Sequence, residues 1–573
     1  MKPRFILLVC ILEILASFSS CKKDFLTITT RGVLDDYTMA TVQGIEGLLV
    51  GDYSMLDGVS SQFGWESASS NWVYGSIMGL EANKGTDAGD QSDLTPLQTF
   101  SETSTNTWLN TKWSEVYDAI ARCNSTIRVI NKALELGRID QDKADPYIRQ
   151  ARVLRGWYHF EAWRMWKMIP YIDEKVDVLS VTNKDDIRSK IIADLTEGTL
   201  LPDNMGAIGR FNGTVSKVLL AKAMMQMNGD YTGALPILED ARGGTKPDGS
   251  PIGLALTYGE IFDIINRNGI ESVYTVQYTV NDGSGAYNGG YGEILNFPYK
   301  TNGSPGGCCG FFQPTQEFVN SFRTSGGLPL LDYSYNLDPV KSDEGIAVSS
   351  PYTPDTGKLD PRLDWSVGRR GIPYWDWGLH TGADWVRDQT YAGPYSPKKQ
   401  VYKKSDEGKY TEVGFWTLGI TANGYRMIRF ADVLLMIAEC QIETGDLSGA
   451  LTNINLVRNR AANPDGFVKE SDGITPAANY DVKPYPSFPN QTYARNALRM
   501  ERKLELGQEG HRWFDLNRWG ITVTELNRVL TYEKTMPWGR SLYGNSTVGT
   551  KDITIPIPQR QIDLSNVKLV QNR

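Results

Sequence analysis

A mostly α-helical scaffold, built from helix pairs and carrying a large irregular region with a few short strands, is the fold class this chain of 573 residues predicts. Three observations carry the prediction. Apolar residues recur at three- and four-residue intervals over long stretches, and a G-D-x-x-G-A-L pattern occurs twice. Between the two copies the chain is rich in Gly, Pro, Tyr, Trp and Asp, with no helical period. A chain this long is expected to form more than one packed unit.

The first long helix is read from Trp113 to Leu136, where Trp113, Val116, Tyr117, Ile120, Ile127, Ile130 and Leu134 share one face. A second begins after Asp142 and runs through ADPYIRQARVLRGWYHFEAWRMWK. Pro146 is tolerated in its first turn, where the missing N–H has no intrahelical partner. The two are long enough to pack as an antiparallel pair, and helical context assigns Trp108, Trp113, Trp157 and Trp163 to the core. In the repeats, AKAMMQMNGDYTGALPIL from 221 and IAECQIETGDLSGALTNI from 437, Gly229 matches Gly445 and Ala234 matches Ala450. Each predicts a helix that ends at glycine, a turn at aspartate, and a second helix with a small residue where two helices touch. This is similar to a tetratricopeptide helix pair, and copies so distant in sequence must assemble into one scaffold. A short strand pattern, ESVYTVQYTV, precedes the irregular region.

A formal charge of −8 supplies no basic field for phosphate backbones or an anionic membrane surface, so nucleic acid is excluded as a natural partner. The 40% of hydrophobic residues can bury a sizeable core, and 28 Tyr and 15 Trp leave aromatic surface for a ligand. At the N-terminus, Lys2 and Arg4 precede an apolar run from Phe5 to Leu15, interrupted only by Glu13. The run ends in the small residues of SFSSC, which reads as a signal peptide over 1–20. Cys21 after small residues resembles a lipobox cysteine that carries acyl chains; the plain alternative is an ordinary cleaved signal with Cys21 a bystander. Residues 21–270 then form an N-terminal helical region. Residues 271–573 form a C-terminal region with a loop-rich ligand face over 281–411 and closing helices. Cys123 and Cys440 lie in helical patterns as small buried hydrophobes. Cys308 and Cys309 could pair as neighbours, although two thiols in a glycine-rich loop is the plainer reading.

Six stretches in order carry a family resemblance: CKKDFL, WSEVYDAIARCNSTI, LDPRLDWSVG, IRFADVLLMIAECQIETGDLSGALTNINLVRNRA, ALRMERKLELGQEGHRWFDLNRWG and ITIPIPQRQIDLSNVKLVQN. Through them the chain resembles the SusD/RagB outer-membrane lipoproteins of Bacteroidetes. The resemblance implies tetratricopeptide-like helix pairs with an irregular ligand face, and a lipid-anchored place on the cell exterior. It implies a partner, a SusC-like TonB-dependent transporter, over which the protein acts as a lid. It also implies capture of oligosaccharides, or of peptides in some members, without chemistry on them. Lys22, Lys23 and Asp24 look like the family's export signal.

The segment ELGQEGHRWFDLNRWG offers Glu509, His511 and Asp515 as acid, base and orienter. A structural role is the better reading. Arg499, Glu501, Arg502, Glu505 and Arg512 are placed to form ion pairs. Trp513, Phe514 and Trp519 supply core, and His511 is expected to donate a buried hydrogen bond. No catalytic residue is assigned.

A neutral glycan presents hydroxyls and flat C–H faces, so its site needs aromatic platforms with amides, carboxylates or arginine beside them. Three loops qualify. FGWESASSNWVYGS gives Trp65, Asn71, Trp72 and Tyr74; the 281–310 loop gives Tyr287, Asn288 and Tyr291. The strongest, GIPYWDWGLHTGADWVRDQTYAGPY, gives Tyr374, Trp375, Asp376, Trp377, Trp385, Arg387 and Tyr395. In an extended chain adjacent side chains face opposite ways, so some of these rings should be exposed. The alternative is that they pack the loop onto the scaffold. No cofactor is expected. Asp87, Asp90 and Asp93 are weak calcium candidates without EF-hand spacing, and His159, His380 and His511 match no zinc motif. A glycoside hydrolase using two of Asp376, Asp384 and Asp388, and a scaffold for protein partners alone, are the competing functions.

Overall fold

The computed structural model describes residues 35–59, 64–299, 303–414, 417 and 419–573. The signal peptide, Cys21 and the charged residues after it lie outside the described residues. No helix among the described residues is long and apolar enough to cross a membrane.

Helix α1 (Val42–Ser54) leads to α2 (Thr107–Glu135) and α3 (Gln141–Trp166), which pack as a pair. Helix α2 starts six residues before Trp113 because Asn106 caps it, accepting from the N–H groups of Trp108 and Leu109. Asp140 caps α3, and Pro146 sits inside it. Trp108, Trp113 and Trp157 are buried as expected; Trp163 is only half-buried, with the Lys167 ammonium 3.7 Å from its ring centre. Helix α4 (Arg188–Gly198) packs on α3, where Gly156 leaves room for Asp194 and Leu195.

The repeated motif folds the same way twice. Helix α5 (Gly213–Asn228) ends at Gly229 with φ +62°, and α6 (Tyr231–Arg242) starts from Asp230; α7 (Phe430–Thr444) ends at Gly445 with φ +95°, and α8 (Leu447–Ala461) starts from Asp446. Each aspartate accepts from the N–H three residues on, Gly233 at 2.8 Å and Gly449 at 2.9 Å. An added Cβ on Gly233 would meet the Asp230 carboxylate at 2.5 Å, and one on Gly449 the Asp446 carboxylate at 2.2 Å. Ala234 and Ala450 are fully buried, and α6 packs on α7, so the distant repeats meet.

Four of the short strands, β1 (Ala82–Gly85), β2 (Ser272–Thr275), β3 (Phe311–Pro314) and β4 (Arg426–Arg429), make two antiparallel ribbons, β1 with β3 and β2 with β4. Only SVYT of the predicted ten-residue strand pattern is strand. The ribbons join the two halves of the chain, and one cluster of buried residues runs from Leu49 to Leu569. Cys123 and Cys440 are buried free thiols, whereas Cys308 and Cys309 are joined in a disulfide, against the plainer sequence reading.

Candidate functional site

The closing helices α9 (Gln491–Leu506), α10 (Arg512–Arg518) and α11 (Thr522–Glu533) carry the histidine-containing segment. Glu509 is buried, with Arg429 at 2.7 Å and Lys399 at 2.8 Å. Asp515 is gripped by Arg502 and Arg518, both at 2.8 Å. Glu505 meets Arg362, Arg429 and Arg460, and Glu501 meets Arg362 and Arg458. Arg512 pairs with Glu525, but Arg499 lies over the Trp519 ring at 5.4 Å and forms no ion pair among the described residues. Burial pushes the His511 pKa down to about 3. Its ring makes no hydrogen bond among the described residues, a correction to the expected buried donor. Acid and orienter are thus spent on holding helices together, and the base is a buried neutral imidazole.

The loops build a small core of their own. Phe297, Tyr374, Trp385, Val401 and Tyr402 are buried together, with Trp375 and Trp377 packed at the edge. Tyr374 meets Trp385 edge-on at 5.4 Å, and His380 meets Trp385 at 5.0 Å. Gly382 N–H donates to His380 Nδ1 at 3.1 Å, leaving Nε2–H to donate to Ser396 Oγ at 3.0 Å. Burial lowers that imidazole to about 3, so it is neutral. The Tyr-Trp-Asp-Trp run turns tightly instead of extending: Tyr374 N–H donates to Gly378 O at 2.8 Å, and Trp375 has φ +50°. The two indoles are tethered by their N–H groups, Trp375 to Lys398 O at 3.2 Å and Trp377 to Tyr402 O at 2.9 Å, which leaves both half-exposed.

Beside this core, the β1–β3 ribbon brings three distant segments to one rim. Gly85, with φ +82°, lies so close to Gly310 that an added Cβ would meet the Gly310 carbonyl oxygen at 2.4 Å. Tyr299 N–H donates to Trp385 O at 2.8 Å, drawing the 385–391 segment alongside. There Arg387 bridges Asp87 and Asp90, each at 2.7 Å, donates to Thr86 Oγ1 at 2.8 Å, and lies 5.4 Å from the Tyr299 ring centre. Lys84 Nζ donates to the carbonyls of Asp87 at 2.8 Å and Asp90 at 2.6 Å, and lies 5.2 Å from the Tyr391 ring centre. Burial lowers the Lys84 pKa to about 8. Partial burial pulls Asp87 upward, but the Asp90 amide and Arg387 hold it below its ordinary value.

Several predicted platform residues are corrected by burial. Tyr374 and Trp385 carry the loop core, whereas Tyr395 is buried in a separate cluster with Phe318, Leu363 and Leu504, its hydroxyl donated to Gln316 Oε1 at 3.0 Å. Trp72 and Tyr74 are buried, donating to Gly292 O at 3.0 Å and Glu66 O at 3.0 Å. Asn71 is buried against Glu161, and Tyr291 is buried beneath Tyr287. Tyr287 is 60% exposed, its ring 5.9 Å from that of Tyr291. Asn288, Asp376 and Arg387 are exposed, and Trp65 is half-buried. Of the calcium candidates, Asp87 and Asp90 are balanced by Arg387, while Asp93 accepts from Thr107 Oγ1 at 2.6 Å. Sequence reasoning missed Lys84, Thr86, Tyr299 and Tyr391. Tyr299 and Tyr391 were within reach, since they share the 281–310 and 371–395 loops with the chosen residues; Lys84 and Thr86 depend on a four-residue strand that carries no strand signal.

The profile of the SusD family matches residues 270–573, and the chain belongs to that family. SusD-like protein P25 of Formosa agariphila is 22% identical over 466 residues, covering 80% of this chain and 77% of that protein. A SusD-like protein of Bacteroides ovatus is 22% identical over 466 residues, covering 78% of this chain and 71% of that one. Among solved structures, surface glycan-binding protein A from Bacteroides thetaiotaomicron in complex with laminarihexaose matches with a TM-score of 0.64 at 20% identity, over 93% of this chain and 99% of that one. A SusD superfamily protein from Bacteroides vulgatus gives a TM-score of 0.66 at 19% identity, over 93% and 98%. These matches establish a shared fold.

Proposed function

We propose that this protein is a cell-surface receptor that captures an oligosaccharide on the rim of the loop core and delivers it to a SusC-like TonB-dependent outer-membrane transporter. Acyl chains on Cys21 hold it at the exterior. The observation that carries the reading is that half-open rings border one loop core: Trp375 and Trp377 pack at its edge, and Tyr299, which donates to Trp385 O within it, lies against Arg387 of the Asp87–Arg387–Asp90 cluster. Ring faces stack on the C–H faces of sugars, and carboxylates and a fixed guanidinium exchange hydrogen bonds with hydroxyls. Membership of the SusD family supports the role, as does a structural relative named for its complex with laminarihexaose.

Binding without bond cleavage fits the carboxylates of the loop. Asp376 accepts from the N–H groups of Lys404 and Ser405, and Asp388 caps the turn at Thr390, so both act as loop fasteners. Calorimetry against a panel of oligosaccharides, with Trp377→Ala and Arg387→Ala beside the parent protein, tests the reading. Loss of one stacking ring is expected to weaken binding about tenfold. An unchanged Kd in both variants places the ligand elsewhere, and release of reducing ends at enzymatic rates replaces the receptor with a hydrolase.

A further inference from the structure

Away from the loop rim, a cleft of about 740 Å³ opens between the first turns of α2, the segment 64–66 and the C-terminal helix α12 (Gln559–Leu564). We propose that this cleft is a second oligosaccharide-binding site, for a neutral, hydroxyl-rich chain. The inference rests on the reading of the protein as a glycan receptor, but on different residues.

The volume lies in the range of small-ligand sites. One wall carries the half-buried Tyr117, whose ring stacks at 4.7 Å and 24° on the buried Trp113 behind it and whose hydroxyl is tied to Pro170 O at 2.9 Å. The rest is hydrogen-bonding surface. Asn110, Thr111 and Ser114 line the cleft from one stretch of α2, facing Arg560 and Gln561 of α12. Gln561 Nε2 donates to Asn110 Oδ1 at 3.0 Å and reaches Ser114 Oγ at 3.4 Å, which fixes the floor. The side chains of Thr111 and Arg560 have no hydrogen-bond or ionic partner among the described residues. Glu66 also lines the cleft, and burial raises its carboxyl above its ordinary value.

Elimination selects the ligand class. An apolar molecule would strip water from Thr111 and Arg560 and return no hydrogen bond. An anion would meet the carboxylates of Glu66, Glu115 and Asp118, and a cation would meet Arg560 and compete with Arg122, which already pairs with Asp118 at 2.9 Å. A neutral chain of hydroxyls both donates and accepts, and its C–H faces suit the half-buried Tyr117 ring and the exposed Leu564 at the edge. The cleft also borders the loop face: Gly292, which follows Tyr291, packs on Ala68 and Gly64 so tightly that an added Cβ would meet the Ala68 methyl at 2.8 Å. Two sites on one chain raise the apparent affinity for a polymer without any new contact, because the second engagement is intramolecular.

Ser114 is exposed on the helix surface, so Ser114→Trp fills the cleft without disturbing the core. The probes are laminarihexaose, maltohexaose, xylohexaose and mannohexaose, titrated by calorimetry into the parent protein, Ser114→Trp and Trp377→Ala, with circular dichroism as a check of folding. The expected result is a stoichiometry of two hexasaccharides per chain for the parent and one for Ser114→Trp, with apparent affinity for the matching polysaccharide reduced about tenfold or more. One hexasaccharide per chain with the same Kd in the parent and Ser114→Trp overturns the second site and leaves the receptor reading standing. Silence of the parent against all four probes and their polysaccharides overturns both. A Thr111→Ala, Arg560→Ala double variant, which adds no bulk, is expected to reproduce the loss, and full retention of two-site binding in it also overturns the proposal.

Discussion

Glu505 has no solvent exposure and contacts three guanidiniums, those of Arg362, Arg429 and Arg460. Burial alone would raise its carboxyl; the three cations hold it below its ordinary value. Removing it leaves buried charges uncompensated, so Glu505→Ala is expected to cost about 3–5 kcal/mol. Urea unfolding measures this, and a loss below about 1 kcal/mol would refute the structural role given to the segment. Glu293 is the opposite case. Its carboxyl is buried with only Ser70 to assist it, and burial raises its pKa from 4.5 to about 7. Its protonated form therefore contributes stability that is fully present below the ordinary carboxylate value and is lost as pH rises through about 7. Glu293→Gln is expected to raise the Tm relative to the parent at pH 8.5, a gain that shrinks as pH falls through that window. A constant difference from pH 4.5 to 8.5 would contradict this. Charge in sequence did not distinguish the two glutamates, because what separates them is which arginines the fold brings near.

At the level of elements, the scaffold was legible because its signals are local. Gly229 and Gly445 end helices in left-handed geometry, and Asp230 and Asp446 start the next ones, as the repeated motif requires. Asp230→Ala and Asp446→Ala are each expected to lose about 1 kcal/mol, by similar amounts, since the caps are built alike. The loop face was less legible. Its aromatic richness was visible, but Tyr374 turned inward because a tight turn at Trp375 replaces the extended chain that alternation assumes, and Trp385 and Tyr395 were taken into two buried clusters that only the folded chain assembles. Nor did sequence predict the β1–β3 ribbon, whose Gly85 has to be small and left-handed for the loops to meet. Gly85→Ala is expected to part Asp87 and Asp90 from Arg387, and so to weaken glycan binding with the helical circular dichroism unchanged. Binding equal to that of the parent would separate the ribbon from the site.

For the whole molecule, helices from both halves share one core, so the irregular face is held on a rigid scaffold, as a receptor surface needs. The charge of −8 keeps polyanions at a distance and leaves the proposed glycan contacts to rings and short-range hydrogen bonds. Attachment is expected to depend on Cys21: Cys21→Ala should move the protein from the membrane fraction to the soluble fraction with its glycan binding intact, and membrane retention of that variant would refute the lipid anchor.

The central claim is that the loop rim binds a glycan. Its most direct test is calorimetry of a chain beginning after Cys21 against the oligosaccharide panel, with Trp377→Ala alongside. Binding by the parent and a loss of about tenfold in Trp377→Ala is the predicted result; tight binding that is identical in both, or none by the parent to any member of the panel, would contradict it.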